Sequence, residues 1–166
     1  MFHRLTKITV TDAIATFEKS LITPNSIFDQ YLRGNSTILT ADKKAGYDLF
    51  KGNCTSRHVG VTLGGLSFEK MGVKKDYFKL HGGQLAEVDN GRFDVTKLEK
   101  DRHFFKVPVL RNVELPSPYF HDGSVAKLDD AVHIMAKVQR DKEFTHDEVN
   151  KVVAFLKTLT GKYKNN

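Results

Sequence analysis

Cys54-Thr55-Ser56-Arg57-His58 stands directly behind the run Leu49-Phe50-Lys51-Gly52-Asn53. A cysteine and a histidine at that spacing fit the frame C-x-x-C-H, in which two thiols add across the vinyl groups of a haem and the histidine reaches its iron. The spacing is a physical requirement: one helical turn presents both sulfurs to one porphyrin edge and points the imidazole at its centre. Here Arg57 occupies the second thiol position. Alone, such a pentapeptide is a weak signal, because a lone Cys and His at this distance are more often unrelated. The surrounding chain has to decide.

Both flanks are helical by pattern and the middle is not. Thr11 is expected to cap a first helix carrying Ile14, Phe17 and Leu21 on one face. Thr23-Pro24-Asn25-Ser26 ends it and opens a short helix around Ile27, Phe28, Tyr31 and Leu32; Thr40 caps a third through Ala45, Tyr47, Leu49 and Phe50. From Gly52 to Pro118 the pattern dissolves into glycine-punctuated loops without sustained alternation, which predicts no substantial sheet. So long an irregular stretch needs an organiser, and a large apolar cofactor would serve. Towards the C-terminus, Leu128, Ala131, Val132, Met135 and Val138 line one helical face. Thr145 and Glu148 form a capping box ahead of Val149, Val152, Val153, Leu156 and Leu159, and Gly161 stops that helix.

Composition sets the outer limits. The 166 residues fit one domain with an appended arm, and 40% hydrophobic with 28% charged residues is ordinary for a globular protein. No apolar run reaches the roughly 18 residues of a membrane span. Met1-Phe2-His3-Arg4-Leu5-Thr6-Lys7 has a basic start with no apolar stretch behind it, so no secretory signal is expected in the chain as written. One cysteine excludes an internal disulfide framework and any zinc site of several thiolates. The net charge of +6 is spread along the chain, and no nucleic-acid-binding motif accompanies it. Nucleic acid is therefore not an expected partner.

Set in order along the chain, several stretches resemble the di-haem cytochrome c peroxidases of bacteria. Pro24-Asn25-Ser26, Phe28-Asp29, Leu39-Thr40-Ala41, Ala45-Gly46 and Leu49-Phe50-Lys51 resemble the run-up to the family's second haem; Gly60-Val61-Thr62-Leu63-Gly64-Gly65, Phe68 and Met71-Gly72-Val73 resemble the segment behind it. Gly91-Arg92-Phe93, Phe105-Lys106-Val107-Pro108, Leu110-Arg111-Asn112-Val113 and Pro118-Tyr119-Phe120-His121-Asp122-Gly123-Ser124 look like the most recognisable block. Ala131-Val132-His133-Ile134-Met135 and Val153–Gly161 complete the match, which runs from about Leu5 to Gly161.

The resemblance implies a mainly α, cytochrome c-like haem domain with long loops (37–166) and an N-terminal helical arm (1–36), corresponding to the family's C-terminal, electron-transfer half. It implies haem c, with His58 as proximal ligand, Met135 as distal ligand, Cys54 as thioether anchor and Arg111 as a propionate partner. With Arg57 in place, the anchor would be a single thioether. Tyr119, Phe120 and His121 match a loop near the haem and the inter-domain seam. A calcium bound partly by the backbone carbonyls of Pro116 and Pro118 is also implied, although Pro116 stands where a threonine is expected. Further implied are a small electron-donor cytochrome or cupredoxin, homodimerisation and a periplasmic location. Peroxide chemistry would belong to a peroxidatic domain whose motifs this sequence does not contain, so the chain alone is expected to lack peroxidase turnover. Two alternatives stand beside this reading: a single-haem electron carrier, and a haem-free fragment or interaction module.

Overall fold

A computed structural model describes residues 5–163. Seven α-helices and one two-stranded ribbon are present among them: α1 (Lys7–Ser20), α2 (Ile27–Leu32), α3 (Ala41–Asn53), α4 (Tyr77–Leu80), α5 (Phe93–Thr96), α6 (Leu128–Arg140) and α7 (His146–Lys157), with β1 (Phe68–Lys70) antiparallel to β2 (Phe104–Lys106). The architecture is mainly α with long loops, and the three-residue strands agree with the absence of alternation in the sequence.

Local chemistry sets most of the helix starts. Thr40 Oγ1 accepts from Lys43 N at the head of α3, and Thr145 exchanges bonds with Glu148 at the head of α7, as their sequence signatures require. Ser26 and Asp29 form the same reciprocal pair on α2. The start of α1 differs from expectation. Thr6 is its cap, paired with Thr9, while Thr11 lies one turn inside and donates its hydroxyl to the carbonyls of Lys7 and Ile8. A threonine hydroxyl can satisfy a preceding carbonyl as readily as it caps, and a residue closer to the N-terminus won the role.

Two apolar clusters hold the body. The first joins Phe28 of α2, Leu39, Phe50 of α3, Leu110, Leu128 and Ala136 of α6, Phe144, and the α7 stripe Val149, Val152, Val153, Phe155 and Leu156. At its centre α3 crosses α7 at Gly46, where a Cβ would lie 1.9 Å from the Lys151 carbonyl oxygen. Only glycine lets the two backbones approach so closely. The second cluster, Met71, Tyr77 and Val138 with Phe78, Phe105, Phe120, Ile134 and Met135 around it, packs side chains of α4, β2 and the neighbouring loops on the other flank of α6. The face expected from Leu128 to Val138 is thus divided, with Leu128, Val132 and Ala136 on one core and Met135 and Val138 on the other. By contrast α1 buries none of its residues; Ile8, Ile14 and Phe17 all lie exposed. Many apolar side chains of the loop region are exposed as well, among them Val61, Leu66 and Val95.

Candidate functional site

Cys54 caps the C-terminus of α3 through its amide, which donates to Phe50 O at 2.8 Å. The next residues turn back at once: the amides of Arg57 and His58 both donate to Cys54 O, at 3.1 and 3.0 Å. The thiol is packed against the first cluster. Burial pushes its pKa up to about 11, against the opposing field of Arg140. Cys54 is therefore a protonated, sheltered thiol rather than a free nucleophile.

His58 is fixed by the loop immediately C-terminal to it. Its Nδ1 lies 3.0 Å from Leu63 O, so Nδ1–H donates and Nε2 keeps its lone pair. The bond depends on an unusual backbone: Leu63 adopts φ 51° and Gly64 φ 140°. A Cβ on Gly64 would fall 2.0 Å from Pro108 O. Burial, and beyond it the Arg57 charge, hold the imidazole below its usual pKa, partly offset by the Leu63 and Pro108 carbonyls. His58 is therefore neutral at pH 7, the state in which imidazole binds metals.

Beside this pair are the two buried side-chain polar atoms that lack a hydrogen-bond partner among the described residues, Asn53 Oδ1 and Arg57 Nε. Native chains rarely leave such atoms unpaired, and both flank Cys54. Arg57 makes a long ion pair with Glu69 of β1, at 3.8 Å.

The other sequence-derived candidates lie elsewhere. Met135 is half-buried on α6 in the second cluster, so α6 is the element common to its surroundings and to those of Cys54. The structure places the Arg111 guanidinium on Asp29, Nη1 to Oδ2 at 2.9 Å and Nη2 to Oδ1 at 2.8 Å, with Thr23 O a further acceptor at 3.2 Å. The Arg111 hydrogen bond, the largest influence, holds the Asp29 carboxyl at about 2 against the opposing effect of burial. Pro116 and Pro118 stand on an exposed loop, anchored by Ser117 Oγ donating to Ala126 O and by Tyr119 OH donating to Val113 O.

His121 belongs to a network that sequence reading only half identified. Its Nε2 lies 2.6 Å from Oδ1 of buried Asp89, whose own carbonyl meets His103 Nδ1 at 2.6 Å. Asp122 accepts from Tyr77 OH at 3.2 Å and from Ser124 N at 3.0 Å. Asp89, His121 and Asp122 could together face a cation. Their four carboxylate oxygens, however, are already engaged by His121, Ala86 N, Ser124 N and Tyr77 OH. The arrangement is a self-satisfied polar brace across the aromatic cluster. Asp89 escaped the sequence reading because its partner is 32 residues away and no periodic pattern links them. Asp29 was within reach, being the third residue after the Ser26 cap.

The profile of the family described as di-haem cytochrome c peroxidase matches residues 1–37. The chain is 51% identical over 153 residues to the cytochrome c551 peroxidase of Nitrosomonas europaea, covering 92% of this chain and 44% of that protein. It is 52% identical over 155 residues to the cytochrome c peroxidase Ccp of Escherichia coli, covering 93% and 33%. Among solved structures it resembles a MauG-like protein associated with microbial copper homeostasis, with a TM-score of 0.76 at 28% identity over 96% of this chain and 58% of that one. Over nearly its whole length the chain is thus similar to curated cytochrome c peroxidases, and it spans less than half the length of these relatives.

Proposed function

We propose that this chain is an electron-transfer haem domain, in which Cys54 would anchor the haem through a single thioether and His58 and Met135 would hold its iron. The observation that carries the reading is the fixed tautomer of His58: its Nδ1–H is spent on Leu63 O and Nε2 is left for a metal, one turn after a sheltered thiol. The orphaned Asn53 Oδ1 and Arg57 Nε fit a group bound at the same place. A haem held there supplies a one-electron iron couple. The chain's own residues do the rest. Cys54 tethers, the Leu63 and Pro108 carbonyls orient the imidazole, and the apolar flank of α6 offers the Met135 thioether and excludes water. Arg111 keeps two of its five N–H groups after serving Asp29 and Thr23, enough to take a propionate.

In this reading residues 1–36 are an arm to a 37–166 haem domain, α1 its free part and α2 its anchor. Electrons arrive from a small cytochrome or cupredoxin in the periplasm. Reduction of peroxide is assigned to the remainder of a full-length relative, since His58 and Met135 would both be committed to holding the haem and this chain's acid–base groups are given no part in cleaving peroxide. A calcium at the Pro116 and Pro118 carbonyls and a homodimer belong to the same proposal. The test is the absorption spectrum of protein exported behind an added leader in cells that mature cytochrome c. A Soret band with a reduced α band is expected, and a colourless, folded protein would leave only the haem-free alternative.

A further inference from the structure

Arg57 stands where the attachment motif calls for a neutral thioether, so the chain exchanges a covalent tether for a fixed charge. That charge is poorly compensated. The side chain is only 21% exposed, its Nε has no hydrogen-bond partner, and Glu69 approaches no closer than 3.8 Å with its own side chain 37% exposed. We infer that Arg57 is a redox-tuning residue: its charge, adjacent to His58 and loosely countered by Glu69, raises the reduction potential of a haem held at this site. The inference rests on the haem reading above.

The physical case is short. An oxidised iron centre carries one more positive charge than the reduced one, and a neighbouring cation destabilises the oxidised form. Burial limits the screening by water and salt that would erase the effect at a surface. Cluster and haem potentials respond to such local charge. Glu69 works in the opposite direction, so the two residues form an antagonistic pair on one turn and one strand.

The experiment uses the full chain, matured with haem. Haem content is measured first, then the midpoint potential by mediated titration, in which one electron enters per iron. Arg57→Gln should lower the equilibrium constant for reduction by on the order of tenfold, which is about 59 mV for a one-electron couple. Arg57→Lys should keep most of the wild-type value. Glu69→Gln should move the potential upwards. Opposite shifts from two neutralising substitutions are not produced by a packing defect, and Glu69→Gln retains the test if Arg57→Gln folds poorly. Coloured variants with unshifted potentials, or shifts in the same direction, overturn the tuning role while leaving the haem site standing. Colourless protein throughout overturns both.

Discussion

Neutralising Asp29 should cost the domain stability at pH 7 and nothing in strong acid. The carboxylate joins Arg111 by two charge-assisted bonds of 2.8 and 2.9 Å and also closes the α2 cap by accepting from Ser26 N. Its pKa falls from 3.8 to about 2 on folding. A depressed folded pKa contributes stability that is complete above the unfolded value and disappears as pH falls through the folded one. The window is therefore pH 4 to 2. The full shift corresponds to about 2.4 kcal/mol. Water reaches one edge of the pair and screens it, so about 1–2 kcal/mol is the expected loss in Asp29→Asn. For a chain of this size that is roughly 3–6 °C in Tm. Asparagine keeps the shape and can still accept from Ser26 N, so the difference reports the charge. Urea unfolding of both proteins from pH 7 to 2 provides the measurement: the two midpoints should converge between pH 4 and 2. Parallel curves across that range, or an unchanged midpoint at pH 7, would refute the idea that this pair ties residues 23–29 to the loop at 110–112.

Haem, once attached, should be bound by one thioether at Cys54; denaturing mass spectrometry should find a covalent adduct, and haem released intact in acid would argue against it. Met135→Ala should abolish the weak sulfur-to-iron band in the far red and lower the midpoint potential, whereas an unchanged spectrum would move the ligand to another side chain. Gly46→Ala should destabilise by about 3 kcal/mol or more through the collision with the Lys151 carbonyl, read as a fall in thermal midpoint. A loss of less than about 1 kcal/mol there would mean that α3 and α7 separate more easily than their packing suggests.

The sequence was most readable where the interaction is local. Thr40 and the Thr145–Glu148 box announce their helices because donor and acceptor lie three residues apart. The α7 stripe follows the helical period onto the core. Reading failed at the start of α1, where Thr6, Thr9 and Thr11 all have hydroxyls able to bond nearby backbone and spacing does not rank them. It was silent on Asp29 with Arg111, and on Asp89 with His121, because the partners lie 82 and 32 residues apart and only the fold brings them together. The pattern also merged two surfaces into one on α6. Periodicity shows that a side is apolar, but not that two different cores share it. For Cys54 and His58 the spacing was visible; the Leu63 carbonyl that selects the tautomer was not, since it requires a left-handed leucine and the Gly64–Pro108 contact.

Where the chain joins its compact body, it also leaves it. Gly161 lies against Thr23, so close that a Cβ would meet the Thr23 carbonyl at 2.0 Å. Asn112 stitches the two together, donating to Thr23 Oγ1 at 3.0 Å and accepting from Gly161 N at 3.0 Å. Entry and exit side by side make the body a cassette. It can be spliced into a longer polypeptide through one doorway, with little demand on the spacing of its host, or closed into a ring by a short linker and reopened elsewhere. Such a module need not be threaded through its neighbours to be gained, lost or moved as a unit.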